Sequence, residues 1–203
     1  MPEVRIAAIV EGHGEVEAVP ELIRRIGREI DPGFVPVVRP VLRTPGNKLL
    51  REKGLEHAVE YAACKLGGRG GILVLTDCDW ENACPARDGP MLARRAAAAR
   101  GDLPIAVVLA RHEFEAWFLA AAESLRGLRG LPADLAAPER PESIRGAKEW
   151  LTERMPPQDS YSETTDQAAL TAKFDMETAR RRSDSFDKCY REVRKLLERV
   201  RAL

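Results

Sequence analysis

Two short acidic clusters each follow directly on a run of apolar residues. The first, at residues 11–15, contains Glu11 and Glu15, and the second, at residues 77–79, contains Asp77 and Asp79. Because such apolar runs predict buried strands, we expect both clusters at the carboxyl ends of strands, where an open α/β sheet carries its chemistry. Carboxylates gathered there repel one another unless a cation lies between them, and hard oxygen ligands suit Mg²⁺ or Mn²⁺. The two clusters therefore predict a divalent-metal site.

The elements that must position these clusters alternate between strand and helix along the first half of the chain. The hydrophobic patterns predict strands over 4–10, 34–42, 72–76 and 104–110, and helices over 15–30, 49–66 and 89–100. This alternation predicts an α/β fold with a mostly parallel sheet flanked by helices on both faces. Pro36 and Pro40 place the second strand at an edge of the sheet.

The chain beyond residue 125 is predicted to form a helical extension on this core. We expect a core domain over residues 1–125 and a helical region over 126–203, with helices at 146–153, 166–174 and 185–203. Residues 180–201 hold nine basic and four acidic side chains, an excess of five positive charges. This basic segment either contacts phosphates or an acidic partner, or is a solvated amphipathic helix.

Composition excludes several classes of protein. The 32 basic and 32 acidic side chains give a net charge of zero, which argues against a protein that coats nucleic acid through overall charge. The four cysteines form no CxxC pair, so a zinc knuckle is not indicated and reduced thiols are expected. No apolar stretch approaches the length of a membrane span or a secretory signal. We expect a soluble cytoplasmic protein without a membrane partner.

The pair Asp77 and Asp79 alone is compatible with three kinds of enzyme. A dehalogenase-like phosphatase would carry this pair on its first strand, where the present chain has Glu11. A nucleotide-sugar transferase would need a longer chain for its two subsites. The third kind is a metal-dependent nucleic-acid enzyme. Glu11 and Glu15, which add two more oxygen ligands to the same edge, favour this third interpretation.

The same residues carry a resemblance to a known family. Val10-Glu11-Gly12, followed two helices later by an Asp-x-Asp strand, resembles the Toprim domain of topoisomerases, primases and overcoming-lysogenization-defect (OLD) nucleases. The spacing of Glu11 and Glu15 is most similar to the nuclease branch. The run 113–120 and a late Ser183-x-Ser185-Phe186 resemble a bacterial Toprim-like family catalogued as a domain of unknown function of the DUF4276 type. The resemblance implies a Rossmann-like Toprim fold over residues 4–125.

The resemblance also implies roles for individual carboxylates. Glu11 would be a general acid or base or a metal ligand, and Asp77 and Asp79 would hold Mg²⁺. Glu15 would help to hold a second ion, and two ions would stabilise the attacking and leaving oxygens of a phosphodiester displacement.

Three further acidic residues are candidate ligands. Glu113 and Glu115 lie in the run 111–119, which directly follows the fourth strand and predicts the start of a helix. Glu115 is the stronger candidate for a catalytic role because it lies within the Glu-Ala-Trp signature. Glu81 matches a third Toprim acidic position by spacing, although Trp80 stands where that family has a small residue.

Cations and aromatic residues near the predicted strand ends are candidates for substrate contacts. A nuclease needs basic groups that hold the phosphate backbone and stabilise transition-state charge. His13 in the first turn could touch a phosphate, and Trp117 and Phe118 could stack on a base or belong to the core. The candidate phosphate-binding residues are Arg43, Lys48, Arg111, Lys148 and Lys173.

Two functional hypotheses follow from these observations. The first is a Mg²⁺- or Mn²⁺-dependent nuclease, which by resemblance would serve a bacterial or phage-defence module beside a separately encoded ABC-type ATPase. The second is a regulatory subunit of such an ATPase that binds metal or nucleic acid without cleaving it. A homodimer is compatible with either hypothesis, and the sequence does not distinguish DNA from RNA.

Overall fold

The computed structural model describes residues 3–203, which are built around one four-stranded sheet. The strands are β1 (Arg5–Val10), β2 (Val37–Arg43), β3 (Gly71–Cys78) and β4 (Ile105–Arg111). They are all parallel and follow the order β2-β1-β3-β4. The predicted α/β fold with helices on both faces is therefore confirmed. Residues 1 and 2 of the predicted core domain lie outside the described residues.

Helices on the two faces cover the sheet. The helices are α1 (Glu15–Ile30), α2 (Gly46–Leu49), α3 (Gly54–Leu66), α4 (Pro85–Ala99), α5 (Ala116–Ala120), α6 (Ala147–Thr152), α7 (Glu163–Thr171), α8 (Met176–Arg182) and α9 (Asp184–Arg201), with 3-10 turns at Ala122–Leu125 and Pro141–Ser143. Helices α1 and α9 pack on one face, and α3 and α4 pack on the other. The C-terminal helix α9 therefore packs directly on the sheet, against β3 and β4.

The burial of the strands explains their sequences. In β1, Ile6 and Ala8 face the α1 and α9 side, whereas Ala7 and Ile9 face the α3 and α4 side. Because both faces are covered, a central parallel strand needs an uninterrupted apolar run. Strand β2 lies at an edge, as Pro36 and Pro40 predict, and is less buried.

Two predicted helices have different bounds in the structure. The helix predicted over 49–66 is interrupted between α2 and α3, where Lys53 adopts a left-handed φ of 60°. A Cβ on Gly54 would lie 1.8 Å from the Lys48 carbonyl oxygen, so the close turn between the two helices requires glycine. The helix predicted to start near Arg111 begins only at Ala116, after His112 turns the chain with a φ of 65°.

Aromatic side chains join the C-terminal region to the sheet. Trp117 and Phe118 are fully buried, so they belong to the core. The ring of Trp117 lies 5.2 Å from Phe186 of α9, and that of Phe118 lies 5.6 Å from Phe174. The Trp117 indole also donates a hydrogen bond of 2.9 Å to Ser185 Oγ. The C-terminal region, residues 126–203, therefore shares one core with the strands.

The basic C-terminal segment is largely neutralised by local ion pairs. Arg191 binds Asp187 at 2.7 Å, and Arg194 binds Glu198 at 2.9 Å along the exposed face of α9. This arrangement favours the solvated amphipathic helix over a phosphate-binding surface. All four cysteines are free thiols. Among residues 3–203, no helix combines the length and apolar character that crossing a membrane requires.

Candidate functional site

The two central strands bring the first pair of acidic residues together. Glu11 directly follows β1, and Asp77 is the penultimate residue of the neighbouring strand β3. Glu11 Oε2 accepts a hydrogen bond of 2.5 Å from the Thr76 hydroxyl and one of 3.3 Å from the Asp77 backbone N–H. The two acidic clusters of the sequence thus meet at one edge of the sheet.

Glu15 folds back from the first turn of α1 onto the end of β1. Its Oε2 accepts hydrogen bonds from the backbone N–H groups of Glu11 at 2.8 Å and Gly12 at 3.1 Å. Burial raises the pKa of Glu15 to about 7, the two N–H donors oppose this rise, and the charges of Glu115 and Glu11 add to it. Glu15 therefore shapes the turn after β1 and lies within reach of the other carboxylates.

Glu115 lies deepest in the site and has an incompletely satisfied carboxylate. Its Oε1 accepts hydrogen bonds from the Tyr161 hydroxyl at 2.8 Å and from Gln167 Nε2 at 3.2 Å. Its Oε2 is buried and finds no hydrogen-bond partner among residues 3–203. Burial raises the pKa of Glu115 to about 7, although Lys148 and Tyr161 oppose this rise. A buried oxygen of this kind carries a desolvation cost that a bound cation or proton would offset.

Asp77 links the strand ends to the turn that carries Glu115. Asp77 Oδ1 accepts a hydrogen bond of 3.0 Å from the backbone N–H of Phe114, the residue that precedes Glu115. Burial raises the pKa of Asp77 well above its ordinary value, and the charges of Glu15, Glu115 and Glu11 raise it further. The four carboxylates therefore repel one another within a single electrostatic environment.

Lys148 provides a positive charge beside these carboxylates. It forms an ion pair of 2.9 Å with Glu163. Its charge lowers the pKa of both Asp77 and Glu115. Burial alone would lower the pKa of Lys148, but the charges of Glu115 and Glu163 raise it. Lys148 thus partly compensates the acidic cluster from the start of α6.

Glu113 has a structural partner at the same helix start. Its Oε2 accepts hydrogen bonds from the backbone N–H groups of Ala147 at 2.8 Å and Lys148 at 3.3 Å. An acceptor at this position stabilises the beginning of α6. Glu113 therefore holds the segment that presents Lys148.

The remaining predicted residues lie at varying distances from this cluster. Asp79 is exposed and lines a cavity together with Glu11 and Asp77. Glu81 is exposed on the following loop, outside the residues that line this cavity. Arg43 and Lys48 are exposed beside the same cavity, at the end of β2 and in α2, and His13 is exposed in the turn before α1.

Two predicted phosphate-binding residues lie apart from the acidic edge. Arg111 lines a separate groove between α4 and α9, on the outer side of β4. Lys173 is exposed two residues beyond the end of α7. It follows Glu163 by ten residues, which corresponds to about 15 Å at the helical rise of about 1.5 Å per residue. The structure therefore gathers Glu11, Glu15 and Glu115 around Asp77, and it places Lys148 beside Asp77 and Glu115.

The sequence analysis missed three residues of the site, Thr76, Tyr161 and Gln167. Thr76 is a polar residue inside an otherwise apolar strand, and this contrast was a usable signal for its hydrogen bond to Glu11. Tyr161 and Gln167 lie 46 and 52 residues after Glu115 in the chain. No local pattern connects them to Glu115, because the contact arises only when α7 packs against α1.

The chemistry of the donors fits a hard divalent cation. The gathered side chains offer only carboxylate oxygens, and the Glu115 Oε2 atom has no hydrogen-bond partner. Among residues 3–203, however, no group of three or more His, Cys, Asp or Glu side chains is arranged as a ready-made metal site. The carboxylates around Asp77 would have to draw together around an ion.

Comparison with known proteins gives one match. A family model described as "Domain of unknown function (DUF4276)" matches residues 10–194. No curated protein and no solved structure matches the chain. The matched range includes the whole acidic edge together with Tyr161, Gln167 and Lys148.

Proposed function

The chain belongs to the family of the domain of unknown function DUF4276, and we propose that it is a Mg²⁺- or Mn²⁺-dependent nuclease that hydrolyses phosphodiester bonds. We further propose that its sheet is a Toprim domain related to that of the OLD nucleases. The order of the parallel strands, with Glu11 after β1 and Asp77 at the end of β3, supports this relationship.

The observation that carries the proposal is the unsatisfied carboxylate of Glu115. It is fully buried beside Asp77 and Glu15, and one of its oxygens has no hydrogen-bond partner within the described part of the chain. Buried like charges are costly, and arrangements of this kind concentrate at functional sites. A divalent cation would offset the repulsion between these carboxylates. A cluster of carboxylates exposed to water would need no such cation.

The residues have separable tasks in this proposal. Glu11, Asp77 and Glu115 would hold the ion, with Asp79 at the solvent side. A bound Mg²⁺ supplies a Lewis acid and lowers the pKa of its water. Lys148 would offset negative charge on the phosphate during the displacement. Tyr161 and Gln167 keep Glu115 in place through their hydrogen bonds to Oε1.

One observation favours a second candidate function, a regulatory subunit that acts with a separately encoded ATPase. Within the described part of the chain, no metal site is already assembled, and most basic residues of α9 are engaged in ion pairs with their neighbours. A subunit that binds metal weakly, and that contacts nucleic acid through its partner, would need neither a preassembled metal site nor free basic residues on α9.

The test is a cleavage assay with a matched pair of variants. Purified protein is incubated with labelled single-stranded, duplex and supercoiled DNA and with RNA, in Mg²⁺ or Mn²⁺. We expect cleavage by the wild type, and a loss of at least 100-fold in Asp77→Asn. Asp134→Asn, at an exposed position on a C-terminal loop, should cleave like the wild type. Metal binding by calorimetry without any cleavage would contradict the nuclease and favour the regulatory subunit.

A further inference from the structure

The cavity beside the acidic edge has two chemically different walls. Its volume is about 340 Å³. One wall consists of the carboxylates of Glu11, Asp77 and Asp79. The other wall is made of apolar and amide groups, contributed by Pro45, Gly46, Asn47, Leu50 and Trp80. A cleft for a metal ion alone would not need this second wall.

Glycine at position 46 keeps the two walls in close contact. A Cβ on Gly46 would lie 2.5 Å from Glu11 Oε1 and 2.6 Å from Oε2. Any side chain there would force the Glu11 carboxylate to leave its present position. The apolar wall is therefore built directly against the carboxylates that would hold the ion.

Trp80 supplies the aromatic surface of this cavity. It is half-buried, because part of its ring packs against the apolar cluster under α3 and α4. The other two tryptophans have partners elsewhere. Trp117 is fully buried, and the Trp150 ring is covered by the Arg154 guanidinium at 3.5 Å. The exposed part of Trp80 is thus a flat apolar surface beside Asp79.

Basic side chains border the same cavity. Lys48 and Arg51 are exposed and directly follow the cavity-lining residues Asn47 and Leu50 in the chain, and Arg43 is exposed two residues before Pro45. Among the described residues, none of the three forms an ion pair with a carboxylate, in contrast to the paired basic residues of α9. Unpaired cations beside an acidic cavity are suited to the phosphates of a strand whose reacting group lies inside it.

We infer that this cavity is a subsite for one unpaired nucleotide, so that the substrate is single-stranded nucleic acid. The inference rests on the proposed nuclease function and names its substrate class. The base stacks on Trp80 against Leu50, and Asn47 offers its amide to the base edge. Lys48 and Arg51 hold the flanking phosphates while the carboxylates face the scissile one.

The size of the cavity separates a single strand from a duplex. A volume of 340 Å³ equals that of a sphere about 9 Å across. The bases of a duplex are already paired and stacked, so a duplex would have to extrude a nucleotide before its base could enter a cavity of this size. Stacking on an aromatic ring is available to every base, and it gives single strands an affinity that depends little on sequence.

The test measures binding without turnover. Fluorescence anisotropy is recorded with a labelled 12-mer of oligothymidine and with a blunt hairpin duplex of equal charge, with Ca²⁺ in place of Mg²⁺. We expect wild-type protein to bind the single strand at least 10-fold more tightly. Trp80→Ala should weaken single-strand binding by about 5- to 150-fold, the effect of losing one stacked base, and Trp80→Phe should restore most of it.

Matched variants make each outcome decisive. Tyr61→Ala removes another exposed aromatic residue, on α3, and should bind like the wild type. Trp80→Leu keeps the apolar packing and replaces Trp80→Ala if circular dichroism shows that the latter is unfolded. Equal affinity for single strand and duplex, or equal effects of the Trp80 and Tyr61 variants, would overturn the subsite.

The binding measurement also separates the subsite from the nuclease. A single-strand preference that depends on Trp80, found together with no cleavage in Mg²⁺ or Mn²⁺, would overturn the nuclease and leave the subsite supported. Cleavage that depends on Asp77 but is unchanged in Trp80→Ala on single strands would support the nuclease and overturn the subsite.

Discussion

Charge is concentrated in two regions of this chain, the acidic edge of the sheet and the basic helix α9, and the two regions differ in how that charge is balanced. On α9, Lys188 and Lys195 both contact Glu192, at 2.9 and 3.3 Å, and these groups are partly exposed to water. At the acidic edge, Glu115 is fully buried and leaves one oxygen without a partner. Most basic residues of α9 are paired with carboxylates at the surface, whereas the buried carboxylates of the acidic edge are only partly compensated by Lys148.

The difference distinguishes a solvated surface from a functional site. Exposed ion pairs contribute about 0–1 kcal/mol each and can form wherever charged residues are spaced by one helical turn. Several buried carboxylates near Asp77 cost stability, so their presence calls for an external cation or a proton. The number of charges in a segment of sequence is therefore a poorer guide to function than their burial.

Replacing Glu115 should produce the largest change in stability. The pKa of Glu115 is about 7 in the folded protein against 4.5 ordinarily, so the folded state binds this proton more tightly. The resulting stabilisation is fully present below about pH 4.5 and is lost as pH rises through about 7. At about 1.36 kcal/mol per pH unit, the loss is about 3 kcal/mol. In Glu115→Gln, the free energy of unfolding should not show this fall between about pH 4.5 and 7.

The measurement is the free energy of unfolding in urea with EDTA, at several values between pH 4.5 and 8. Glu153→Gln, at an exposed position, serves as the control and should follow the wild type. Parallel curves for Glu115→Gln and the wild type would show that Glu115 is as well solvated as the surface carboxylates.

Lys148→Met should change metal binding and cleavage in opposite directions. The positive charge of Lys148 lies near Asp77 and Glu115, where it competes with an added cation. Its removal should raise the affinity for Mg²⁺ by about 3- to 10-fold, since one repulsive charge is lost. Cleavage should fall by about 10- to 100-fold, because the phosphate loses a compensating group.

Calorimetry and initial cleavage rates measure the two effects. The matched control is Lys173→Met, since Lys173 is exposed at the far end of α7 and should affect neither quantity. A weaker affinity for Mg²⁺ in Lys148→Met would mean that this lysine supports the ion site through structure alone.

Local patterns predicted the strands and the position of the acidic edge. The continuous apolar runs of β1, β3 and β4 are what a sheet covered on both faces requires, and they place Glu11 and Asp77 on neighbouring strands. The break between α2 and α3 was missed, because it depends on the approach of Gly54 to the Lys48 carbonyl. No residue spacing reports such a contact in advance.

The inner part of the site was less predictable, because it depends on contacts between distant segments. Tyr161 and Gln167 reach Glu115 from the C-terminal region. The Glu-Ala-Trp signature favoured Glu115 over Glu113, but the sequence kept both as candidate ligands. In the structure Glu113 caps α6 and Glu115 is buried beside Asp77. Which of two neighbouring carboxylates belongs to the site is decided by tertiary packing.

Tyr161→Phe should have a moderate effect that grows with pH. The Tyr161 hydroxyl donates a hydrogen bond of 2.8 Å to Glu115, and this bond favours the charged carboxylate. We expect a loss of about 1 kcal/mol at pH 8, where Glu115 is ionised, and a smaller loss at pH 5.5. Urea unfolding at the two pH values measures the difference, with Tyr61→Phe as the control at an exposed position. An equal loss at both pH values would assign Tyr161 a packing role only.

Arg191→Gln on α9 should have the smallest effect, and it tests whether the basic helix is only a solvated surface. Arg191 and Asp187 form an exposed pair at 2.7 Å, so its loss should change the free energy of unfolding by less than about 0.5 kcal/mol. Nucleic-acid binding should keep its dependence on salt, since Arg191 is already paired. Lys48→Gln, which removes an unpaired cation beside the cavity, should instead lower the salt slope of binding by about 1. A reduced slope for Arg191→Gln would place phosphates on α9, and the basic helix would then belong to the binding surface together with the acidic edge.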